Sequence, residues 1–121
     1  MASCLVVDDS RVVRAVARRI LEELKLDVTE AENGQVALQR CEDQMPDAVL
    51  LDWNMPVMDG IDFLKRLRSG GYEKQPIVVF CSTARELEQI QTAIEAGADE
   101  YIMKPFDQEI VQSKLQEAGV I

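Results

Sequence analysis

The sequence predicts an α/β protein: a doubly wound, five-stranded parallel sheet flanked by five helices. Three observations lead there. The short continuous apolar runs Cys4–Val7, Ala48–Leu51, Ile77–Cys81 and Tyr101–Met103 have the length and composition of strands buried on both faces. The segments between them carry apolar residues at helical spacing. Each run also stops at a group able to do chemistry: Asp8 and Asp9 after the first, then Asp52, Ser82 and Lys104. Ligands of an open parallel sheet bind outside the carboxyl ends of its strands, so these four runs deliver reactive groups to one edge.

Taken in order, the first helix reads from Ser10, its N-cap, to about Lys25, with Val13, Val16, Ala17, Ile20 and Leu24 on one face. A strand over Asp27–Ala31 has only Val28 and Ala31 as apolar members, which suits a sheet edge. Asn33-Gly34 opens a helix through about Asp43, which Pro46 keeps from continuing. After the Asp52 strand, Trp53–Gly60 reads as loop and Ile61–Arg68 as helix, ended by Gly70-Gly71. The Pro76–Ser82 strand leads to a helix from about Arg85 to Ala96, stopped at Gly97. Glu100–Met103 is the last strand and about Asp107 to Ala118 the last helix. A cis Lys104-Pro105 bond would turn the chain to aim Lys104 inward, but base rates favour an ordinary trans turn. No linker or repeat interrupts the order. The expectation is one domain over residues 1–121, with no output domain beyond it.

A chain of 121 residues, 47% hydrophobic and 29% charged, is ordinary for one globular domain. No apolar run approaches the roughly 20 residues of a membrane span, and the start lacks a secretory signal, so a cytoplasmic address is expected. A net charge of −9 argues against nucleic-acid or acidic-membrane binding. Cys4, Cys41 and Cys81 lie far apart inside apolar segments, and there is no histidine. That composition argues against a zinc site or a disulfide framework, and the cysteines read as small buried residues.

Asp8, Asp9 and Asp52 crowd like charges, which raise one another's pKa unless a cation neutralises them. A hard divalent ion with oxygen ligands is the natural solution, and Mg²⁺ keeps open positions for phosphate. A carboxylate can itself be the nucleophile, giving an aspartyl-phosphate. Lys104 supplies positive charge for phosphoryl oxygens and Ser82 a neutral donor.

The pattern resembles the receiver domains of bacterial two-component response regulators. The matching stretches are Val6-Val7-Asp8-Asp9-Ser10, Leu50–Pro56, Met58-Asp59-Gly60, Ala96-Gly97-Ala98 and Lys104-Pro105-Phe106, in the family's order over almost the whole chain. The resemblance implies strand order 2-1-3-4-5, with Asp52 as phosphoacceptor. It implies Mg²⁺ held by Asp9, Asp52 and the backbone carbonyl of Asn54, with Asp8 acting through water. Ser82 would be the switch hydroxyl and Tyr101 an aromatic rotamer switch. Thr83-Ala84 matches the family's local hydroxyl pattern better, whereas the distance to Lys104 along the chain favours Ser82; Thr83 beside the site would slow water's access. The implied function is a single-domain switch that takes phosphoryl from a histidine kinase or phosphotransfer protein and binds a downstream protein through its last-helix side. Chemotaxis is one such output.

Two other functions fit parts of the pattern. A haloacid-dehalogenase-type phosphatase also uses a strand-end aspartate, Mg²⁺ and a lysine, but wants an aspartate where Asn54 stands. A pseudo-receiver would bind partners without phosphorylation, against which the intact acidic group and Lys104 count. Arg11, Arg14 and Arg18 form a basic stripe on the first helix, read either as a solvated face or as a kinase-docking surface. Trp53, the single tryptophan, should report on events at Asp52, and Met55 and Met58 read as loop packing.

Overall fold

Alternation of apolar residues in period two decides how the sheet is sandwiched. The computed structural model describes residues 2–83 and 88–121. Its elements run β1 (Ser3–Val7), α1 (Arg11–Glu23), β2 (Asp27–Ala31), α2 (Gly34–Asp43), β3 (Ala48–Asp52), α3 (Gly60–Ser69), β4 (Ile77–Ser82), α4 (Ile90–Ala96), β5 (Glu100–Met103) and α5 (Gln108–Glu117). The strands pair in parallel in the order β2-β1-β3-β4-β5. This is the expected fold and strand order.

Leu5 and Val7, Val49 and Leu51, and Val78 and Phe80 face one core, closed by Ala37 and Cys41 of α2, Phe63, Leu64 and Leu67 of α3, and Ala93 of α4. The alternate residues Cys4 and Val6, Ala48 and Leu50, and Val79 and Cys81 face the other, under Ala17 and Leu21 of α1 and Val111 and Leu115 of α5. Between their first and last residues, central strands buried on both sides therefore have no polar position. The edge strand β2 keeps Asp27 and Thr29 exposed, as its composition predicts. Burial pushes the Cys4 and Cys81 thiols up to about 12, which leaves them inert.

Side chains cap four of the helices: Ser10, Asn33, Asp59 and Asp107 accept from the backbone N–H of Val13, Val36, Asp62 and Ile110. The helix expected from Arg85 differs. Residues 88–89 form a 3₁₀ turn and α4 begins at Ile90, where Gln89 makes no side-chain cap; the expected start at Arg85 lies outside the described residues. Among the described residues, no helix is long and apolar enough to cross a membrane.

Candidate functional site

The parallel register assembles the site. Val7 lies opposite Leu51, so the next residues, Asp8 and Asp52, emerge side by side at the carboxyl edge. Asp8, Asp9 and Asp52 each offer a carboxylate oxygen, all within 4.8 Å of one another. Asp8 and Asp52 are buried, at 3% and 8% exposure, whereas Asp9 is exposed. The Lys104 ammonium arrives from the end of β5 and donates to Asp8 Oδ2 at 2.7 Å and Asp52 Oδ1 at 2.9 Å. Asp8 Oδ1 accepts from the Ser10 N–H at 2.8 Å. The Lys104-Pro105 bond is cis, which corrects the trans turn that base rates favoured.

Charge balance at this cluster is uneven. Burial raises the Asp52 pKa above the usual carboxylate range and the Asp8 charge adds to it, while the hydrogen bond from Lys104 opposes both. At Lys104 burial works against the charge, but the bonds to Asp8 and Asp52 outweigh it and raise the pKa. One fixed ammonium, paired with Asp8 and Asp52 alone, thus serves a cluster of three carboxylates.

Ser82 is fully buried, and its hydroxyl has no hydrogen-bond partner among the described residues. A buried hydroxyl without a partner is costly and calls for an explanation. Thr83, next along, is exposed. Tyr101 lies in β5 opposite Phe80 and is 40% exposed.

The loop after Asp52 is held tightly. A Cβ on Gly60 would collide with the Asp52 carbonyl, and the Gly60 N–H donates to the Trp53 carbonyl at 2.9 Å. Gly34 donates to Met58 O at 2.8 Å, tying α2 to the same loop. Trp53 meets Phe80 edge-on at 5.3 Å. Met55 and Met58 pack against the core, as expected, while Asn54 is exposed. Val57 has φ 70°, and the Met58 N–H reaches back to the Pro56 carbonyl at 2.8 Å.

The arginine stripe is divided. Arg11 is exposed. Arg14 Nε and Arg18 Nε donate to the two oxygens of Glu30 at 3.1 Å and 2.6 Å, and those bonds, Arg18's foremost, hold the Glu30 carboxyl below its usual range. Arg14 Nη1 also donates to the Asp8 carbonyl at 2.6 Å. Helix spacing gave no sign of these links, because Glu30 stands on β2.

The cluster fits a hard divalent cation. Its donors are carboxylate oxygens with neither sulfur nor imidazole, the set that Mg²⁺ takes. The exposed Asp9 beside two buried acids gives a charged donor on the solvent side.

Comparison with known proteins agrees with this geometry. The family model described as "Response regulator receiver domain" matches residues 4–116. The chemotaxis protein CheY1 of Helicobacter pylori is 37% identical over 114 residues, covering 93% of this chain and 92% of that protein. The chemotaxis protein CheY of Halobacterium salinarum is 34% identical over 113 residues, with the same coverage. Among solved structures, Vibrio cholerae CheY4 superposes with a TM-score of 0.89 at 31% identity, covering 100% of this chain and 99% of that one. The receiver domain of NtrX from Brucella abortus gives 0.87 at 28% identity, covering 95% and 96%. The chain therefore belongs to the response regulator receiver domain family.

Proposed function

We propose that this receiver domain accepts a phosphoryl group on Asp52 from the phosphohistidine of a histidine kinase or phosphotransfer protein. Asp52 carries the reading: a strand-end carboxylate beside two others, with a lysine ammonium at 2.9 Å. An Asp52 oxygen attacks phosphorus as the donor P–N bond breaks, and the bonding electron pair returns to the imidazole. Lys104, held by Asp8 and Asp52, presents its charge where the phosphoryl oxygens arrive. Held by Asp9, Asp52 and the Asn54 carbonyl, with Asp8 acting through water, Mg²⁺ would draw charge off those oxygens. Attack by water on the same phosphorus, breaking its bond to Asp52, returns the free carboxylate and inorganic phosphate.

Ser82, buried with a hydroxyl that has no hydrogen-bond partner among the described residues, supplies the donor that recognises the phosphorylated state. Its burial favours it over the exposed Thr83. As Ser82 turns to the phosphoryl group, Tyr101 leaves its half-exposed position and reshapes the surface that Tyr101, Met103 and Ile110 expose beside α5. A downstream protein binds there, so the output is a population shift set by how differently the phosphoryl group contacts the two states. The relatives are named as chemotaxis proteins, and we assign chemotaxis as the output, in the cytoplasm. Exposed Arg11, with Val12 and Val16 on the same helix, meets the phosphoryl donor.

Incubation with Mg²⁺ and acetyl phosphate tests the reading. Intact mass should rise by one phosphoryl unit, and Asp52→Ala should abolish the gain. Equal labelling of Asp52→Ala would refute the acceptor assignment.

A further inference from the structure

Arg14 reaches past the helix surface into the backbone of the acidic cluster. Its side chain is 15% exposed, and its guanidinium forks: Nη1 donates to the Asp8 carbonyl at 2.6 Å and Nε to Glu30 Oε1 at 3.1 Å. Glu30 is a firm anchor. It stands in β2 opposite Val6, its second oxygen takes Arg18 Nε at 2.6 Å, and its carbonyl accepts from Arg40 Nε at 3.3 Å. The other side of Asp8 is also fixed, since its N–H donates to the Ala31 carbonyl at 3.1 Å.

The Asp8 carbonyl and the Asp9 N–H share one planar peptide unit. Fixing that carbonyl fixes the direction in which the chain enters Asp9. Asp9 needs this more than its neighbours: Asp8 and Asp52 are buried and held by Lys104, whereas Asp9 is exposed. An exposed acid within 4.8 Å of two other carboxylates is repelled towards solvent unless its backbone is held.

We propose that Arg14 is a positioning residue: through the Asp8 carbonyl it orients the Asp8–Asp9 peptide so that Asp9 faces the cation site. Glu30 braces the guanidinium, and Arg18 braces Glu30 without touching the peptide. The proposal rests on the reading of Asp9 as a Mg²⁺ ligand. Supporting groups of this kind change metal affinity by about 10- to 100-fold.

The test is Mg²⁺ titration of the unphosphorylated protein, read by Trp53 fluorescence, with thermal unfolding of each metal-free variant alongside. Arg14→Ala should weaken Mg²⁺ affinity about tenfold. Arg14→Lys, with one ammonium in place of the fork, should recover only part of it. Arg18→Ala removes a Glu30 partner but not the carbonyl contact, and should hold affinity within about twofold while lowering stability comparably. In an Asp9→Ala background, Arg14→Ala should have no further effect on affinity. Arg14→Ala matching a Mg²⁺-binding wild type, or Arg18→Ala losing as much affinity, overturns the positioning role and leaves the metal site standing. A wild type that binds no Mg²⁺ overturns the metal site and this role together.

Discussion

Ser82 and Lys104 are joined through the main chain, the Lys104 N–H donating to the Ser82 carbonyl at 2.7 Å. The residue that grips Asp8 and Asp52 is thereby tied to the one whose buried hydroxyl has no partner among the described residues. Movement at either is felt by the other, because the bond sits where β4 and β5 end.

Ser82→Ala should stabilise the resting protein, since it deletes a buried polar group that has no hydrogen-bond partner among the described residues. A gain of about 1 kcal/mol in urea unfolding is expected. The same variant should still be labelled at Asp52 but lose most of the Tyr101 chemical-shift response to a beryllofluoride mimic of the phosphoryl group. Thr83→Ala should keep that response. A variant Ser82→Ala that is destabilised yet fully responsive would refute the assignment.

Asp52→Asn should stabilise the protein in metal-free buffer at neutral pH. Burial raises the Asp52 pKa on folding, so the folded state holds that proton more tightly than the unfolded chain. The charge therefore weakens the fold as pH rises through the folded pKa, and costs nothing below the unfolded value of about 3.9. Substitution should add on the order of 1 kcal/mol near neutrality. The gain should vanish at pH values below the ordinary carboxylate range. A gain that persists in acid would point to packing as its cause.

Gly60→Ala should cost about 2 kcal/mol, because the new methyl must push back the Asp52 carbonyl. Phosphorylation by acetyl phosphate should slow as well, since the displaced atoms belong to the acceptor's own backbone. Urea unfolding and the labelling rate read the two effects. An unchanged midpoint would mean that the loop yields without resistance.

Val57→Gly should raise the melting temperature. A β-branched residue at φ 70° is strained by about 1–2 kcal/mol, only part of which glycine returns as extra unfolded-state entropy. The exposed side chain gives up little packing. Val57→Pro should destabilise instead, because proline cannot take positive φ.

How much was legible in the sequence depended on whether the signal was local. β2 and β5 fall at their expected bounds, since turn residues flank both short runs; the apolar run Tyr101–Met103 misled on burial, because β5 is a sheet edge and leaves Tyr101 and Met103 exposed. Asp8, Asp9, Asp52 and Lys104 converge as expected, because strand ends in a parallel sheet meet at one edge. The start of α4 was not legible: Gln89 offers no cap of the kind that marks the other helices. The role of Arg14 was hidden because helical spacing compares a residue only with its own helix, while its partners are Glu30 and the Asp8 carbonyl. The Lys104-Pro105 isomer follows from tertiary context, which base rates ignore.

The missing cap on α4 bears on how large a signal the domain needs. With seven residues, no side-chain cap and Ala93 as its one buried residue, α4 is cheap to re-lay, and its amides should exchange faster than those of α1 or α3. Inverting a two-state balance from about 1:99 to 99:1 takes roughly 5.5 kcal/mol. Charge-assisted hydrogen bonds contribute about 1.5–3 kcal/mol each. Two new bonds to one phosphoryl group reach that figure only near the top of this range and three over most of it, provided the element they must move is as lightly anchored as this one. A firmly capped, deeply buried α4 would leave the same phosphoryl group chemically present and informationally silent.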